Sequence, residues 1–510
     1  MILAGMIFGD IFAVFILHQN ASRVGDSLSA AAHAAVAGDI AGVGSAFQKT
    51  GGFLENRGTK VDTHAHLIGF GYLALMLAIL QPSVALAERT KQRLAWLFLF
   101  GGILLPLGVF LIHYIGLAHS PLQAIGWASI FADLGGLFVL LASLAYLAGL
   151  CRRLAKTARM QVQDDLLAVR TSPGRALLLG GTLLVLVGFV HGAYYAGIHL
   201  YAHEAADYNL LAQMTSAAAV QDMAHVDQAL AGYGRLQGEK AVNIAAHAHL
   251  IEFGILALLL GFFAPYISLN HRWQRRWANL LLLGSALLPV CVLLELKFGL
   301  LAGGIADLGG LLVIVALFAM WIGIFRYTGS IDAGALPLPS RALIPAMSNA
   351  KRILIFGGIT LAIVGMAYGL WYAVFAEHQA LNGIGSSLAS SFSAAAQRNT
   401  SAAGQSLLDY REAKYRYDRQ VDVHGHWIGL ALLLIVLGIA ADRISPSPKI
   451  SALFALALLA GSAFFPLAVL VETWSHGPLP RAVAVAASAL AIAALSAMTV
   501  ALYRNPTSIE

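Results

Sequence analysis

Three copies of one pattern carry the chemistry this sequence can do. The segments VDTHAHLIGFG from 61, NIAAHAHLIEFG from 243 and VDVHGHWIGLA from 421 each hold two histidines one position apart: His64 and His66, His247 and His249, His424 and His426. Imidazole is a ligand for haem iron, copper, zinc and non-haem iron. On a helix, two residues with a single one between them point about 200° apart. The two rings of each pair therefore face opposite sides of their helix and serve two sites.

The elements that must position these rings are membrane helices. Of 510 residues, 59% are hydrophobic and 11% charged, against roughly 25% charged in soluble domains. That balance excludes a soluble enzyme, a nucleic-acid binder and a disordered scaffold. Against 32 Lys and Arg and 26 Asp and Glu, the chain keeps 17 histidines, a costly choice in a bilayer unless they are used. Cys151 and Cys291 lie far apart in apolar stretches, so neither a disulfide framework nor a Cys-x-x-Cys-His haem attachment exists, and any haem is non-covalent.

Apolar runs of spanning length fall near 2–20, 63–82, 94–117, 121–150, 175–203, 245–267, 276–299, 302–326, 352–378, 422–441, 450–473 and 480–503, predicting about twelve transmembrane helices. Basic residues follow the second, fourth, sixth and eighth runs (Arg89 and Arg93; Arg152 and Arg153; Arg272 and Arg275; Arg341 and Arg352). By the positive-inside rule both termini are expected in the cytoplasm.

Pro106, Pro289 and Pro466 follow His64, His247 and His424 at one and the same interval, without gaps. Gly5, Gly188 and Gly365 share the register, as do Gly9, Gly192 and Gly369, which suggests close helix packing. The expected fold is an all-α polytopic membrane protein of three tandem four-helix repeats, 1–155, 172–328 and 350–505, with pseudo-threefold symmetry. Amphipathic segments 21–60, 204–243 and 379–420 lie between the first and second helix of each repeat and are expected to cap the outer face. With His-x-His opening the second apolar run, the histidine layer is expected near that face.

Further donors surround the pattern. His18 precedes His64 by the same interval as His378 precedes His424; the matching position in the second copy is Tyr201, flanked by His199 and His203. Glu252, close after His249, replaces Gly69 and Gly429, and Glu295 is matched by Glu472 but by Ile112, beside His113, in the first copy. Carboxylates in a bilayer are functional candidates, so Glu252, Glu295 and Tyr201 are candidate catalytic groups. His18, His199, His203, His378 and Glu472 are candidate metal donors. Isolated histidines such as His119, His271 and His476 read as interfacial polar residues. Asp133 and Asp307 recur in the run ADLGGL, absent from the third copy, where hydrogen bonding between helices is the first reading and a proton path the second.

Haem suits the six His-x-His rings best, because a planar macrocycle between helices takes one axial ligand from each side. Each ring pairs either with a histidine of the neighbouring repeat or with His18 or His378 of its own. Zinc or copper needs three or four donors within about 2 Å of one point.

The phrase HAHLIGFGYLALMLAILQP resembles the His-x-His helix of haem–copper oxidase catalytic subunits, especially C-family oxidases and nitric oxide reductases. The resemblance implies twelve helices in three four-helix arcs, b-type haem, and electron transport in a respiratory chain of the bacterial inner membrane. It also implies a periplasmic redox protein, other membrane subunits or quinone as partners. The chain departs from that superfamily in its seventh helix, LLLLGSALLPVCVLLELKFG, which has no copper-site histidines, and in carrying His-x-His three times rather than once. Three readings stand: a haem protein for electron transfer with up to three haems and a redox site in repeat two; a metalloprotein with copper, zinc or non-haem iron, each site drawing on one repeat; and a secondary transporter.

Overall fold

The computed structural model describes residues 1–116, 126–157, 171–326, 348–441 and 447–504, so His119 and Arg341 lie outside the described residues. Among the described residues the chain is helical, without strands. The helices are α1 (Ile2–Phe12), α2 (His18–Ala37), α3 (Ile40–Leu80), α4 (Glu88–Ile115) and α5 (Ala128–Thr157); α6 (Ser172–Tyr194), α7 (Leu200–Ala219), α8 (Met223–Phe263), α9 (His271–Phe298) and α10 (Leu300–Phe325); and α11 (Asn349–Tyr372), α12 (His378–Ala396), α13 (Thr400–Ala440), α14 (Pro448–Ser475) and α15 (Pro478–Arg504). Among the described residues eleven helical stretches are long and apolar enough to cross a membrane, and a shorter apolar helix covers Ile2–Ile16.

The segments expected as separate caps are continuations of membrane helices. One π-helical turn, Ala13–Leu17, Tyr195–His199 or Ala373–Glu377, carries α1 into α2, α6 into α7 and α11 into α12. The chain then reverses and runs back as a single helix of 41 residues, α3, α8 or α13. Each reversal is made the same way. Gly38, Gln221 and Arg398 take positive φ (76°, 63° and 59°), as a helix C-terminus turning back requires. Asp39, Asp222 and Asn399 then cap the long helix, accepting from the amides of Gly42 (2.9 Å), His225 (3.2 Å) and Ala402 (3.0 Å).

Two apolar cores result. The larger surrounds α8 and α13, buried on every side through 253–264 and 430–439. The smaller joins the three hairpins through alanines and a few large side chains, among them Ala35, Phe47, Met214, Val226 and Phe392.

Continuity moves the histidines. His64 lies well inside α3, past its midpoint, rather than at its start. Its ring meets the carbonyl of Gly5, and His424 that of Gly365. On α11, Gly365 stands midway between Arg352 and Glu377, the charged residues bounding the apolar run, with roughly 20 Å of helix on either side. The histidine layer therefore meets the middle of the apolar run of α11 rather than its end. The cause lies in α3 itself, which carries Glu55, Arg57, Lys60 and Asp62 ahead of its histidines, so that its apolar run opens only at His64.

Candidate histidine-ring site

Each first histidine is held identically. The Nδ1 of His64, His247 and His424 lies 2.8 Å from the carbonyl oxygen of Gly5, Gly188 and Gly365 respectively. A carbonyl only accepts, so Nδ1 carries the proton and Nε2 keeps its lone pair. Gly9, Gly192 and Gly369, one turn further along α1, α6 and α11, admit the rings; a Cβ at any of them would overlap the imidazole. The second histidines follow the same rule within their own helix. His66 Nδ1 lies 2.7 Å from the carbonyl of Asp62 and His426 Nδ1 2.6 Å from that of Asp422, which again leaves Nε2 as the donor atom. His249 Nδ1 is buried without a hydrogen-bond partner.

Two pairs of rings meet across the helices, each of one first and one second histidine. The centroids of His64 and His426 are 6.5 Å apart, inclined by 37°. Those of His424 and His249 are 6.2 Å apart, inclined by 66°. His247 has His66 as an electrostatic neighbour. Two trans imidazoles on one metal, with metal–nitrogen bonds of about 2 Å, have centroids roughly 6 Å apart. Space lies alongside: Ala65 and Gly425, between the paired histidines, are exposed, and a Cβ at Gly69, Gly425 or Gly429 would meet nothing within 4 Å.

The remaining expected residues do not join these pairs. Glu252 is half-buried on α8 with Tyr72 of α3 within electrostatic reach. Glu295, on α9, lies against Gly303 of α10. His199 Nε2 is 3.0 Å from the Tyr194 hydroxyl, and His203 Nδ1 is 3.3 Å from that of Tyr195 and its Nε2 3.7 Å from Glu239. Tyr201 is half-buried on α7. His378 is exposed at the start of α12, facing Glu377 and Asp307. Glu472 is buried and paired with Arg481. Of His18 the backbone alone is described, at the first position of α2. Among the described residues no three His, Cys, Asp or Glu donors converge as a metal ion requires. The expected grouping of His199 or His203 with Glu252 and Glu295 is not formed, because tyrosines adjoining the π-helical turn and Glu239 take up those imidazoles.

Several polar groups escaped sequence reasoning, among them Arg57 and Lys240, which stand at the same interval before His64 and His247 while the third copy has Tyr417 there. Arg57 donates to Asp418 at 2.8 Å, joining α3 to α13. Lys240 bridges Glu204 (2.9 Å) and Asp207 (3.2 Å). Lys60 is 2% exposed, its ammonium over the rings of Phe110 (4.8 Å) and Tyr114 (4.3 Å), and His113 Nδ1 lies 3.4 Å from Glu55. Above the histidine layer, on the hairpin side, the interior is thus polar and charged.

Comparison with protein-family models, with curated proteins and with solved structures finds no match. The reading of the site rests on its own geometry.

Proposed function

We propose that the chain is a b-type haem protein for electron transfer, with a haem in each of three grooves between consecutive four-helix repeats. The ligand pairs are His64 with His426, His66 with His247, and His249 with His424. The observation that carries this reading is the pairing itself: one first and one second histidine, from different copies, with centroids 6.5 Å apart in the first pair and 6.2 Å apart in the last. The Nδ1 hydrogen bonds support it by fixing the tautomer with Nε2 free, as ligating histidines require. So does the space beside Gly69, Gly425 and Gly429, since a flat macrocycle needs room flanking its axial ligands. Two donors per site suit haem; zinc or copper would need more.

The threefold arrangement belongs to the same proposal. The long helices α3, α8 and α13, the π-helical turns, the positive-φ reversals and the glycine carbonyls recur at nearly the same intervals, and they support three repeats about one axis. A bound haem supplies one-electron storage. The chain's own residues orient the imidazoles, exclude water with the core around α8 and α13, and surround the outward side with charge. In this reading the hairpins face the periplasm, both termini lie in the cytoplasm of a bacterium, and a periplasmic redox protein or quinone exchanges electrons with the histidine layer. Glu252, beside Tyr72, is the candidate for redox chemistry in repeat two.

A reduced-minus-oxidised spectrum with pyridine extraction tests the reading. Up to three b-type haems per chain are expected; purified, folded protein with no alpha band and no extractable haem would overturn it.

A further inference from the structure

The run ADLGGL gives the grooves on either side of the second copy a carboxylate from their fourth helix, Asp133 on α5 and Asp307 on α10. The third copy has none in that helix. Its register is fixed by packing: Gly101, Gly284 and Gly461 lie against the carbonyls of Gly135, Gly309 and Ala487, so the position matching Asp133 and Asp307 is Val485, and Ser488 matches Gly310. Across this third groove stands Asp10 of α1, whose Oδ1 accepts a 2.6 Å hydrogen bond from Ser488. In the groove between α10 and α11 the corresponding wall residue is Leu370, whose Cδ1 is 3.7 Å from a Cβ built on Gly310. Leu370 and Asp307 line one cavity there, of about 420 Å³, with Trp371 and Phe375. Each groove therefore holds one carboxylate at one depth, and in the third it comes from the opposite wall.

Structural repetition alone would have placed the acid at 485. That the third groove keeps its carboxylate through a different helix points to a requirement of the groove rather than of the helix. We infer that the three lipid-side grooves are proton-binding sites, served by Asp133, Asp307 and Asp10. A single acid on an apolar helix wall binds a proton as the neutral acid, the form that an apolar surrounding favours. Asp133 has no hydrogen bond or ion pair among the described residues. The groups acting on Asp307 are His378 and, through Glu377, Glu295; on Asp10 they are Ser488 and His426. The inference goes beyond the haem reading and is read out without haem.

The test is labelling of the full chain in liposomes with dicyclohexylcarbodiimide, which adds the O–H of a protonated acid across its C=N bond. Adducts are mapped by mass spectrometry against pH. Adducts at Asp10, Asp133 and Asp307 that decline as pH rises are expected, and D10A/V485D should move the third adduct to position 485. Folding of each variant is checked by gel filtration, and the single changes D133N and D307N should each remove one adduct only. Absence of adducts at all three positions in folded wild-type protein overturns the inference. So does protection by sodium at constant pH, which would make these cation sites, or a folded D10A/V485D protein that is not labelled at 485.

Discussion

His64 and His426 stand with ring centroids 6.5 Å apart although one belongs to the first copy and the other to the last. The contact joins the first and last copies directly. On the proposed reading the two histidines belong to one site, with a consequence for stoichiometry. H64A and H426A are each expected to remove one haem of three, and the double variant no more than one, whereas H64A with H249A removes two. Haem-to-protein ratios by pyridine extraction check this; two haems lost from H64A/H426A would contradict the shared groove.

Gly9 sits where any side chain would collide with the His64 imidazole. Gly9→Ala therefore pushes the ring off the Gly5 carbonyl or shifts α1, at a cost of about 1–3 kcal/mol for overpacking. Thermal unfolding should show the loss, and the haem of that groove should fall in occupancy or change its alpha band. An equal effect from Gly58→Ala, where a Cβ meets nothing within 4 Å, would show that the collision is not the cause.

Arg57 and Asp418 form an ion pair between α3 and α13 with side-chain exposures of 32% and 17%. Removing one partner leaves the other charge in a poorly solvated interior, so R57M should destabilise by about 1–3 kcal/mol, less than a fully buried pair would lose. R57M/D418N should recover part of it, because no carboxylate charge is left in the interior, and Lys414, which then loses its partner at 2.5 Å, is 42% exposed to solvent. Unfolding in detergent distinguishes the two variants.

The helical, membrane-spanning character was legible in the composition, and the recurring glycines were legible because packing forbids a side chain there: Gly5 and Gly9 receive the ring that His64 supplies. The place of the histidines along the bundle was not legible. The apolar run of α3 opens at His64, after Glu55, Arg57, Lys60 and Asp62, whereas the carbonyl that receives His424 lies at the middle of the run of α11. The π-helical turns escaped for a related reason: they add no distinctive residue, and Ala13–Leu17 reads as ordinary apolar helix. Asp10 escaped because its counterparts in the other copies, Ala193 and Leu370, are apolar. Only the packing of α1 against α15 gives it Ser488 as a partner.

His476, in the turn between α14 and α15, accounts for one pH effect. Its Nε2 lies 2.9 Å from Glu412 and its Nδ1 3.0 Å from the carbonyl of Glu472. The Glu412 bond, followed by the backbone bond, raises its pKa above the ordinary histidine value. A raised folded pKa contributes stability that is fully present below the unfolded value of about 6.5 and is lost as pH rises through the folded one. Wild-type protein should thus exceed H476N in Tm at about pH 5.5 and lose that advantage by about pH 9. A constant difference across this window would refute the linkage.

Arg398, at the reversal between α12 and α13, donates to the carbonyls of Ala35 (2.5 Å) and Val36 (2.6 Å) at the end of α2 and of Ala219 (2.7 Å) at the end of α7. One side chain from the last hairpin thus ties off both earlier ones, and it leaves the ribosome long after they do. Until the third copy is made, the carbonyls at the ends of α2 and α7 lack this donor. Arg398 then acts as a keystone, set last, and the cap passes from parts to arch only when the third copy arrives.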